Sequence, residues 1–119
     1  MPTPVILLVG GANAQSKTTF YEIFTGGTTN NKINIRTTVN TVPSIVLIDT
    51  PCEFADRDIG EYCWEGVFHI ADIIVNFGDW SPRDVFGIRP LHSNAPIFLT
   101  WSGDHHETMK RIMDIVQRG

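Results

Sequence analysis

Lys17 followed by Thr18 sets an ammonium and a hydroxyl where an apolar segment gives way to a helical pattern. Upstream, Val5-Ile-Leu-Leu-Val9 is a continuous apolar run that ends in Gly10 and Gly11, and the residues between are small: Ala12, Asn13, Ala14. Phosphate chemistry needs this layout. Backbone N–H groups at the start of a helix point at an anion, a lysine reaches its outer oxygens, and a hydroxyl holds Mg²⁺. The pattern G-x-x-x-x-G-K-[ST] is met at Gly11, Lys17 and Thr18 but departs at Ser16, where it calls for glycine. Downstream, Asp49 follows a second apolar run, Ile45-Val-Leu-Ile48. A carboxylate at such a strand end organises the metal in phosphoryl-transfer sites, although an aspartate two residues before proline also suits a plain turn.

These groups need elements to hold them. Val5–Val9 reads as a strand buried on both faces, because it is short, continuous and rich in Val, Ile and Leu. A helix is expected from about Lys17, with Phe20, Ile23 and Phe24 on one face and Gly26-Gly27 as its stop. Alternation over 33–39 predicts a half-exposed strand at or near a sheet edge. The few residues at 40–43 then leave room only for an antiparallel hairpin with the strand at 44–48. Further along, the pattern predicts a helix over 61–70, a strand over 73–77, a short helix from Ser81, a strand over 97–100 and a last helix. That last helix is capped by Asp104 with Glu107 three residues on, and its stripe is Met109, Ile112, Met113 and Val116. Strands alternating with helices imply an α/β fold, a mostly parallel five-stranded sheet with one antiparallel hairpin strand and helices on both faces.

The bulk properties narrow the classes. A chain of 119 residues is read as one domain, residues 1–119, large enough to bury a core. Its net charge of -4 argues against a general nucleic-acid binder. The apolar runs are too short to span a bilayer. The opening Met-Pro-Thr-Pro lacks the basic start and apolar stretch of a secretory signal, and Cys52 and Cys63 read as free thiols, so a cytoplasmic location is expected.

The glycine-rich turn with Lys17-Thr18, a threonine-bearing strand and Asp49-Thr50-Pro51 together resemble the GTPase branch of P-loop proteins. The resemblance covers roughly residues 5–104, and only two of its motifs are specific. It implies the three-layer P-loop NTPase fold, with Mg²⁺ and GTP or GDP as ligands. Backbone groups of Gly11, Asn13, Ala14, Gln15, Ser16, Lys17, Thr18 and Thr19 would cradle phosphates, and Lys17 would neutralise them. Thr18 and Asp49 would hold the metal, joined by a switch threonine at Thr37 or Thr38. Glu53 stands where such domains place a residue that orients the attacking water. Segments 28–40 and 52–62 would be the partner-facing switches, and Arg36 and Arg57 lie within them.

The chain departs from that family in three further places. Cys52 replaces a glycine that meets the γ-phosphate. Thr100-Trp-Ser-Gly-Asp104 matches the guanine-reading motif poorly. In it Trp101 would stack on a base and Asp104 would pair with the guanine edge, or Asp104 only caps the last helix. A sixth strand and the loop that completes a guanine pocket have no counterpart in the pattern. An adenine nucleotide therefore stays open, and so does a non-enzymatic alternative, a pseudo-GTPase retained as an interaction or assembly module. His105, His106 and Glu107 lack the i, i+4 histidine spacing of a helical zinc site and read as surface groups.

Overall fold

The computed structural model describes residues 3–10, 14–30, 33–50, 71–78 and 97–118. Its elements are β1 (Val5–Val9), α1 (Ala14–Thr25), β2 (Asn34–Thr37), β3 (Val46–Asp49), β4 (Ile73–Asn76), β5 (Ile97–Thr100) and α2 (His105–Arg118). The helices expected over 61–70 and from Ser81 fall outside the described residues, as do Gly11, Asn13, Cys52, Glu53 and the segment 52–62.

The five strands form one sheet in the order β2-β3-β1-β4-β5. β1 pairs parallel with β3 and with β4, and β4 pairs parallel with β5. β2 is antiparallel to β3 at the edge, as the short connection requires. It is shorter than the alternating pattern suggests, and Ile35 stands largely in solvent.

Alternation along the strands sorts the core into two sides. On one, Ile6, Leu8, Leu47, Ile73, Val75 and Leu99 pack under Phe20, Tyr21 and Phe24 of α1 and Met109 and Ile112 of α2. Both described helices thus cover the same face. On the other, Leu7, Val9, Ile48 and Ile74 are also buried. Each fully buried side chain of this size contributes about 1.5–3 kcal/mol, so the continuous apolar runs are what hold the central strands inside.

The helices end as their sequences direct. Gly26 closes α1 with φ of 69°, a left-handed conformation that favours glycine, and its N–H donates to the Glu22 carbonyl at 2.9 Å. The hairpin turn supplies further donors to that end: Val39 N–H to the Phe24 carbonyl at 3.0 Å and the Asn40 side-chain amide to the Ile23 carbonyl at 3.1 Å. At the start of α2, the Glu107 N–H donates to the Asp104 carboxylate at 2.9 Å, the N-cap bond that the Asp-x-x-Glu spacing predicts. No helix among the described residues is long and apolar enough to cross a membrane.

Candidate functional site at the carboxyl end of β1 and β3

From β1 the chain goes on toward β3 on one side, and from β4 it goes on to β5 on the other, so the carboxyl ends of β1 and β4 flank a topological switch point, where open α/β sheets bind ligands. Gly10 sits there with φ of 109°, and a Cβ on it would lie 2.3 Å from the backbone nitrogen of Gly78. Only glycine lets the ends of β1 and β4 approach this closely.

α1 begins at Ala14, earlier than the apolar periodicity indicates, and this changes the setting of the motif. Gln15, Ser16 and Lys17 belong to its first turn, where amides have no carbonyl within the helix to bond. Ser16 takes an ordinary helical backbone, since no described residue other than glycine has positive φ. The departure from glycine at Ser16 therefore does not strain the main chain. Ser16, Thr18 and Thr19 are half-buried and Gln15 is exposed, with the Thr19 hydroxyl donating to the Gln15 carbonyl at 2.9 Å.

Lys17 is buried, only 2% exposed. Its ammonium donates to the Thr50 carbonyl and, at 3.4 Å, to the Thr50 hydroxyl. That hydroxyl in turn donates to the Leu8 carbonyl at 2.8 Å, tying the residue after β3 back to β1. Asp49, at the end of β3, is equally buried, and its Oδ1 has no hydrogen-bond partner among the described residues. Burial raises its carboxyl above the ordinary range. The Lys17 charge and a hydrogen bond from Asn34 oppose that rise, and Glu22 adds to it. Tyr21, one turn along α1 from Lys17, is also fully buried. Burial raises its phenol, Arg36 opposes this, and Asp49 adds to it. The structure thus brings Lys17 and Asp49 together across elements distant in sequence. It adds Thr50, Tyr21 and Asn34, to which the sequence assigned no role; only the register Asn34 opposite Asp49 reveals the last.

The other candidates lie elsewhere. Thr37 pairs with Val46, at the opposite end of β2 from the Asn34–Asp49 pair. Thr37 and Thr38 are thus about 10 Å or more along the strand from Asp49. Thr38 is buried inside the hairpin, its hydroxyl accepting from the Ile45 N–H at 3.0 Å and bonded to the Thr41 hydroxyl. The antiparallel register therefore does not bring Thr38 to a metal at Asp49. Trp101 stacks against Phe77 and against His105, each at 5.5 Å between ring centres, so its faces are engaged within the fold. Asp104 is the cap of α2. His105 is half-buried in this stack rather than a surface group, and also approaches Phe20 at 5.9 Å. Burial lowers its imidazole pKa, with Asp104 opposing and His106 adding to the shift.

Among the described residues no group of three or more His, Cys, Asp or Glu side chains gathers as a metal cage. Mg²⁺ shared with a polyphosphate takes only one or two carboxylates and completes its shell with water and phosphate. A single buried carboxylate with an unpartnered oxygen, next to the Lys17 charge, fits that donor set. No protein-family model matches this chain, and no curated protein is significantly similar to it.

Proposed function

We propose that this chain is a nucleotide-binding domain of GTPase type with the three-layer P-loop arrangement, taking GTP or GDP with Mg²⁺ and hydrolysing the triphosphate slowly without a partner. The observation that carries this reading is the burial of Lys17, in the first turn of α1, together with Asp49, at the carboxyl end of β3 next to β1. A lysine and a carboxylate buried there lower one another's cost only partly, as the raised Asp49 shows. A Mg²⁺–phosphate group would give each a stronger partner. Thr18 and Asp49 would hold the metal, and the helix start would face the phosphates.

A second reading has its own support. Trp101 and Asp104, the base-reading candidates, are occupied by a ring stack and a helix cap. A pseudo-GTPase that serves as an interaction module needs no base pocket. Titration with fluorescent GTP and ATP analogues, with and without Mg²⁺, separates the two. The nucleotide reading expects binding that strengthens with Mg²⁺ and falls about a hundredfold in Lys17→Met, the scale of a lost charge-assisted contact. Absence of binding for both analogues at high micromolar concentration would leave only the interaction module.

A further inference from the structure

Thr50 belongs to no catalytic role in the nucleotide reading, yet it makes three bonds at the centre of the site. Its carbonyl and hydroxyl both accept from the Lys17 ammonium, and its hydroxyl donates to the Leu8 carbonyl. The last bond fixes the peptide after β3 against β1, so the Thr50 carbonyl stays aimed at the lysine. Lys17 is buried where water offers little competition, which makes a charge-assisted bond there stronger than at a surface.

We propose that Thr50 is a positioning residue that keeps the Lys17 ammonium at the end of β3, and that a phosphate arriving at the start of α1 must draw the lysine away from it. The proposal rests on the nucleotide reading for its ligand, but the resting contact stands apart from it. Free anion affinity is then set by a competition between two oxygen acceptors for one ammonium. Weakening the Thr50 anchor strengthens phosphate binding, the reverse of what removing an ordinary binding residue does.

The test uses Thr50→Val, which keeps the shape and deletes the hydroxyl, and Thr50→Ser, which keeps the hydroxyl. Thermal melts establish that both fold. Competitive acetylation with acetic anhydride, read by mass spectrometry, reports Lys17 accessibility, with exposed Lys110 as the internal reference. Tripolyphosphate and Mg²⁺–GTP titrations report affinity. In Thr50→Val, Lys17 labelling rises and affinity for both probes rises up to about tenfold, the upper end of what one ordinary hydrogen bond such as that to Leu8 is worth. Thr50→Ser stays at the parent values. Unchanged Lys17 labelling in Thr50→Val overturns the resting contact. Raised labelling with equal or weaker phosphate affinity overturns the competition. Raised labelling with no binding by any of the three proteins overturns the nucleotide reading and leaves the contact without its competitor. An equal rise in Thr50→Ser assigns the effect to the methyl group and also overturns the proposal.

Discussion

At the scale of single residues, the site is defined by charge held out of water. Asp49 has a carboxyl raised chiefly by burial, so ionising it costs more in the folded, ligand-free protein than in the unfolded chain. A carboxyl whose folded pKa exceeds its unfolded pKa stabilises the fold most below the unfolded value, and loses that contribution as pH rises through the folded one. Asp49→Asn therefore raises the melting temperature of the ligand-free protein at pH 7, and the advantage over the parent shrinks as pH falls into the carboxylate range. Paired thermal melts from about pH 3 to about pH 8, a span that starts below the ordinary Asp value, check this; a variant less stable than the parent at pH 7 would show that the Lys17 attraction outweighs burial. The same substitution removes the Mg²⁺ dependence of nucleotide binding under the proposed function. Of these residues, Lys17 was legible from its spacing after Gly11 at the start of a helical pattern, and Asp49 because it directly follows an apolar run whose burial is forced. Thr50, Tyr21 and Asn34 were not, since their roles come from register and packing that no local pattern encodes.

At the scale of elements, local chemistry was the better guide. The cap of α2 is written in the Asp104–Glu107 spacing, and the bond forms as that spacing directs. Asp104→Ala should cost about 1 kcal/mol of stability, the usual worth of an N-cap side chain, seen as a lower midpoint in urea with an unchanged slope. Were Asp104 a base-reading residue instead, the substitution would abolish preference for guanine over adenine; with the carboxylate engaged as a cap, no change in that preference is expected. The start of α1 was less legible. Its buried stripe begins only at Phe20, so periodicity marks the packed part of the helix and not the first turn, which carries the glycine-poor motif. The hairpin was read from the length of its connection, and antiparallel pairing by itself sets the first residues of β2, not the last, opposite Asp49. The switch threonine at Thr37 or Thr38 was expected from the family resemblance instead, and Thr38 lies inside the turn.

At the scale of the whole molecule, the order β2-β3-β1-β4-β5 is the property the sequence did not contain. Neighbouring parallel strands bond through their backbones, which are alike in every apolar run, so adjacency is decided by connections and by the faces each helix must cover. The hairpin turn adds a constraint of another kind. By donating the Val39 N–H and the Asn40 side-chain amide to the last turn of α1, it fastens the end of that helix farthest from Lys17. Val39 itself is 73% exposed, so an unfastened amide there would exchange with solvent water at the rate of a surface loop. Native-state deuterium exchange should instead find it protected to the same degree as the amides of α1, because one opening event must release both. Loop-like exchange at Val39 would mean that the two open separately. With Val39 protected, a helix whose first turn carries Lys17 and whose last turn is clasped by the sheet edge opens as one cooperative unit. Occupancy at Lys17 would then be measurable as slower exchange at the far end of the helix.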